Sequence, residues 1–120
     1  MTELYDWALR HTGNEDVFLA APLLGFYAIS SAARKVVVLP RAYSNPYVDY
    51  PERKHDADRM YDYLRSGAVE SFLALASNYQ VRYVVDSKNA PECCVLDGID
   101  SPNLTTAFER DSLTVYEVSY

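Results

Sequence analysis

The chain has 120 residues, 49% of them hydrophobic and 23% charged, and its 17 acidic against 11 basic side chains leave a formal net charge of −6. That balance excludes disordered, collagen-like and coiled-coil classes. An acidic protein is also a poor match for nucleic acid, whose phosphate backbone is held by basic side chains, and the length predicts one domain over residues 1–120 with no room for a second core.

Leu4, Trp7, Ala8 and His11 recur at i, i+3, i+4 and i+7, and Gly13 follows where a helix-ending glycine belongs. A first amphipathic helix is predicted there, with His11 on its apolar stripe as a hydrogen-bonded structural histidine. After Asn14-Glu15-Asp16 comes Val17-Phe18-Leu19-Ala20-Ala21, an apolar run suited to a strand buried on both faces of a parallel sheet. Pro22 suits the first turn of a helix continuing over residues 23–32. The uncharged stretch 17–33 is therefore read as strand plus buried helix rather than a bilayer span. Met1-Thr2-Glu3-Leu4-Tyr5-Asp6 has no basic n-region, so the chain is expected to be soluble as given.

Arg34 and Lys35 lead into Val36-Val37-Val38-Leu39-Pro40, the strongest strand signal in the chain. Residues 41–51, with two prolines and three tyrosines, read as a loop. Ala57, Met60, Tyr61 and Leu64 then share a helical stripe, with Lys54, His55, Asp58, Asp62 and Arg65 over the remaining surface. Gly67 breaks this helix, and a further one carries Val69, Phe72, Leu73 and Ala76 and ends near Asn78. Val81-Arg82-Tyr83-Val84-Val85 is the third strand, completing two strand-helix-strand crossovers. Beyond Asp86 no helix-length period remains. A short strand is predicted over residues 93–96, and residues 104–108 and 113–118 flank Glu109-Arg110-Asp111-Ser112 as an antiparallel hairpin. The expected fold is α/β: a three-layer, Rossmann-like sandwich whose mixed sheet is parallel at its centre and closes with a C-terminal antiparallel hairpin. Cys93 and Cys94 are adjacent, cannot bridge each other without strain, and are read as two free thiols.

Ligands of open α/β sheets collect at the carboxyl ends of the parallel strands, which selects three segments. Pro22-Leu23-Leu24-Gly25 lacks both G-x-G-x-x-G and G-x-x-x-x-G-K-[ST], so no dinucleotide, nucleotide or other cofactor is implied. The segment after the second strand sets Arg41, Asn45 and Asp49 among Tyr43, Tyr47 and Tyr50. Flat amphipathic rings beside hydrogen-bonding groups suit a sugar, a polar headgroup or another protein; the competing reading packs the rings down as a lid over the sheet edge. The third segment is the loop triplet Asp86-Ser87-Lys88. His55, Asp56 and Asp58 do not make a metal site, because Asp56 lies about 100° around the helix from His55 and no H-E-x-x-H or EF-hand pattern is present. No G-x-S-x-G elbow and no partnered nucleophile appears, so no catalytic constellation is assigned.

The order Leu4-Tyr5-Asp6-Trp7, Asp16-Val17-Phe18-Leu19-Ala20-Ala21-Pro22, Gly25-Phe26-Tyr27, Arg34-Lys35-Val36-Val37-Val38, then Val81-Arg82-Tyr83-Val84-Val85 and Leu113-Thr114-Val115-Tyr116-Glu117-Val118 resembles a known domain. It is the soluble domain that follows the transmembrane helices in GT-C-type membrane glycosyltransferases, including oligosaccharyltransferase-like and mannosyltransferase-like proteins. The resemblance implies an extracytoplasmic portion of a larger membrane protein. Chemistry in that superfamily belongs to acidic residues in loops between membrane helices, so this portion would be non-catalytic. It would contact a glycan, a lipid-linked headgroup or a neighbouring transmembrane domain through Arg41, Tyr43, Asn45, Tyr47, Asp49, Tyr50, Asp86, Ser87 and Lys88. The W-W-D-type signature of oligosaccharyltransferases is absent from the chain. The alternative is a free-standing cytoplasmic enzyme of Rossmann-like or flavodoxin-like build, acting on a phosphorylated or nucleotide substrate through Arg41, Asp86, Ser87 and Lys88. A third reading is a homodimer joined through exposed tyrosines such as Tyr47.

Overall fold

In a computed structural model that describes residues 2–13, 15–20, 35–37, 50–87, 101–110 and 113–120, the elements follow in the order α1 (Thr2–His11), β1 (Val17–Leu19), β2 (Lys35–Val36), α2 (Tyr50–Ser66), α3 (Val69–Tyr79), β3 (Val81–Ser87), β4 (Leu104–Arg110) and β5 (Leu113–Val118). The predicted helix over 23–32, the loop over 41–49, the strand over 93–96 and both cysteines lie outside the described residues.

Among the described residues five strands form one mixed sheet in the order β2-β1-β3-β5-β4. β1 pairs in parallel with both β2 and β3, while β5 pairs antiparallel with β3 and β4. The parallel strands thus fill one half of the sheet rather than its middle. The predicted C-terminal hairpin folds back so that its second strand, not its first, joins β3, leaving β4 at the edge. Two irregularities interrupt the ladders. From Val17/Val81 to Phe18/Tyr83 the register advances one residue on β1 and two on β3, so Arg82 is the extra residue of a bulge. The step from Thr106/Tyr116 to Phe108/Val115 makes Ala107 the extra residue on β4.

Alternation along the strands sends side chains to two apolar clusters. Phe18, Tyr83, Val85 and Val115 meet Leu4 and Ala8 of α1. Leu19, Val81, Val84 and Tyr116 meet Ala57, Met60, Tyr61 and Leu64 of α2 and Phe72 and Ala76 of α3. Of the predicted stripes, Leu4, Trp7 and Ala8 of α1, Ala57, Met60, Tyr61 and Leu64 of α2, and Phe72, Leu73 and Ala76 of α3 face the sheet. α2 and α3 are separated at Gly67, whose φ of 82° suits a residue without a Cβ. α3 stops at Gln80, left-handed at φ 56° and ψ 41°, whose backbone N–H caps the carbonyls of Ala76 and Ser77.

Tyr50 is a correction to the sequence reading, which placed it in the loop: it is the first residue of α2. Pro51 beside it is compatible with a helix start, because the first helical N–H groups have no partner inside the helix, and Glu52 favours the positive end of the helix dipole. His11 also differs from expectation. It is the last residue of α1, is exposed and stacks on Trp7 with ring centroids 6.1 Å apart.

Candidate functional site

At the carboxyl ends of β1 and β3, the position selected by topology, α2 delivers Tyr61. Its ring is buried in the cluster between α2 and the sheet, and its hydroxyl donates to the Val85 carbonyl at 2.7 Å and lies 3.3 Å from that of Leu19. Burial pushes this phenol well above its ordinary range, the negative charge of Asp86 pushes the same way, and Arg65 opposes them.

Asp86 and Ser87 differ from the predicted loop. Both belong to β3 and pair with Thr114 and Leu113 of β5, and they are only 4% and 3% exposed. β5 prolongs the ladder past the last apolar residue of β3, which is why two polar side chains that read as a loop are strand. Lys88, like Arg41, Tyr43, Asn45, Tyr47 and Asp49, lies outside the described residues, as does the side chain of Tyr50. Among the described residues, then, the carboxyl end offers a tyrosine whose hydroxyl is tied to backbone carbonyls and two buried polar groups in β3.

The acidic residues of α2 are engaged in ordinary helix-surface pairs: Lys54 with Asp58 at 2.8 Å and Arg65 with Asp62 at 2.5 Å. Asp56, 3.9 Å from Arg59, also accepts the Tyr79 hydroxyl at 2.5 Å. Arg53 lies over the Tyr79 ring, 5.5 Å from its centre, and donates to the Val37 carbonyl at 3.1 Å. Tyr79 is pushed up to about 12 by burial first and by Asp56 second.

An open groove of about 510 Å³ lies at the other end of β3, where the sequence reading placed nothing. Ser77 and Gln80 from the end of α3, Arg82 from the bulge, and Glu117, Ser119 and Tyr120 from the end of β5 line it, with Val81 and Val118. The Tyr120 hydroxyl donates to the Val81 carbonyl at 2.6 Å, although the residue is 61% exposed. Asn103 fixes the tail: its side-chain amide donates to the Ser119 carbonyl at 2.6 Å and its own carbonyl accepts the Ser119 N–H at 2.8 Å. Arg82 stands 3.7 Å from Glu117 and 3.9 Å from Asp16. No sequence motif marks these residues, because they converge from three elements; the bulge and the left-handed Gln80 that aim two of them are visible only in the backbone.

No protein-family model matches the chain, and no curated protein matches its sequence. Among solved structures, the C-terminal globular domain of the oligosaccharyltransferase AfAglB-S2 from Archaeoglobus fulgidus matches with a TM-score of 0.61, over 98% of this chain and 95% of that one. The chain shares the fold of that oligosaccharyltransferase domain. At 14% identity the likeness to the oligosaccharyltransferase domain is one of fold, and it agrees with the resemblance carried by the order of the sequence segments. No helix among the described residues is long and apolar enough to cross a membrane.

Proposed function

We propose that the chain is a non-catalytic accessory domain of a membrane glycosyltransferase-like protein, standing on the extracytoplasmic side and contacting a glycan or lipid-linked headgroup. The observation that carries this reading is the match to the oligosaccharyltransferase C-terminal globular domain along nearly the full length of both chains. In this reading α1 on one sheet face and α2 with α3 on the other are the outer layers of a three-layer, Rossmann-like build. The contacting surface is the tyrosine-rich segment of Arg41, Tyr43, Asn45, Tyr47, Asp49 and Tyr50 with Lys88, while Asp86 and Ser87 are buried in β3. The burial of those two residues also speaks against the enzyme reading, which needs them to meet a substrate.

The test is amide NMR of the chain titrated with chitobiose and, separately, with citronellyl phosphate as a soluble headgroup probe. Shifts concentrated in residues 41–50 and at Lys88 are expected at millimolar probe. Spectra unchanged in that segment with both probes would overturn the contact surface.

A further inference from the structure

We propose that the groove at the amino end of β3 is a binding site for a neutral saccharide. It is a different surface from the tyrosine-rich segment and stands whether or not that segment binds anything. Its volume of about 510 Å³ falls within the ~300–1,000 Å³ of small-molecule sites. Tyr120 supplies a broad apolar face. Because its hydroxyl is held on the Val81 carbonyl and the backbone before it is clamped by Asn103, the exposed ring is fixed in place, and docking a sugar's C–H face on it orders little that is not already ordered.

Around that ring stand groups suited to hydroxyls. Gln80 offers both a donor amide and an acceptor carbonyl, and Glu117 offers two acceptor oxygens. Ser77 already donates its proton to the Ala74 carbonyl at 2.8 Å, so its oxygen faces a ligand as an acceptor. Sugar hydroxyls donate and accept at once, which such a mixed set satisfies and a purely apolar partner would not.

The charges choose between a neutral and a phosphorylated ligand. Arg82 is the cation of the groove, and Asp16 and Glu117 flank it at 3.9 and 3.7 Å. One positive group between two carboxylates leaves a local excess of negative charge, which repels phosphate and leaves an uncharged sugar unaffected.

The experiment titrates the chain with maltose, cellobiose and chitobiose, and in a parallel arm with inorganic phosphate, following amide signals. At least one disaccharide is expected to shift residues 77–82 and 117–120 at millimolar concentration, with phosphate leaving them in place. Tyr120→Ala is expected to weaken that binding about tenfold, the loss of one aromatic contact. Gln80→Gly relieves the backbone while deleting the amide, so it is expected to fold at least as well as the wild type and to bind more weakly. The proposal falls if no disaccharide moves these signals at tens of millimolar, if phosphate moves them more readily, or if both variants bind as the wild type does. Shifts in residues 41–50 are read separately and bear only on the tyrosine-rich segment.

Discussion

Tyr61 and Tyr79 show how single phenols hold α2 and α3 to the rest of the molecule, and each makes a measurable commitment. Tyr61→Phe removes the hydroxyl that reaches the Val85 and Leu19 carbonyls; a buried hydrogen bond of this kind contributes about 1–2 kcal/mol, and a fall of that size in the urea unfolding free energy is expected. Tyr79 commits the protein to a pH response. In the unfolded chain its phenol ionises near its ordinary value of 10, whereas in the folded state it holds its proton up to about 12. Between those values the unfolded state binds fewer protons, so its contribution to stability is complete below pH 10 and declines as pH rises through 12. Urea midpoints followed across that window should fall more steeply for the wild type than for Tyr79→Phe; parallel slopes would show that burial and the Asp56 contact together do not hold the proton. At this scale the sequence was a partial guide. Tyr61 was legible as a core residue from its stripe, but its hydroxyl's partners were not, since they come from strands 42 and 24 residues away. Asp86 and Ser87 were misplaced because polar side chains at a strand end look the same as a loop until the partner strand is known.

Two helix ends with left-handed backbones make opposite predictions at the scale of the elements. Gly67, at φ 82°, has no atom within 4 Å of where a Cβ would sit, so Gly67→Ala meets backbone strain alone and is expected to cost about 1 kcal/mol. Gln80 sits at φ 56°, and Gln80→Gly should leave stability unchanged or raise it by up to about 1 kcal/mol. Thermal unfolding of the two variants side by side checks both signs; a destabilised Gln80→Gly would mean that the side chain, not the backbone, stabilises this turn. The helices, the third strand and the hairpin were legible because apolar residues recur at 3.6 and at 2 along one segment. The bulges at Arg82 and Ala107 were not, because a bulge is a mismatch between two strands and leaves no period in either one. The groove depends on that mismatch, which turns Arg82 out between Asp16 and Glu117, so it could not have been found from spacing.

At the scale of the whole molecule, with a radius of gyration of 13.0 Å, the described residues form two apolar clusters divided by one sheet, and whether these melt together decides whether residues 1–120 behave as one domain. The chain has a single tryptophan, and Trp7 lies on the α1 side, with its ring 5.3 Å from Tyr83 and 5.5 Å from Phe108. Its fluorescence therefore reports on that face, while α2 and α3 on the other hold most of the helix among the described residues and contribute to the helical circular dichroism. Phe72→Ala opens a cavity only in the α2–α3 cluster, where Phe72 is fully buried, and is expected to cost about 3–5 kcal/mol. β3 lends Val81 and Val84 to one cluster and Tyr83 and Val85 to the other, so neither face can lose its packing while the strand stays in place. The two signals should accordingly shift to lower urea by the same amount and remain coincident. A Trp7 transition left at its wild-type midpoint while the helical signal moves would show two independently folding halves.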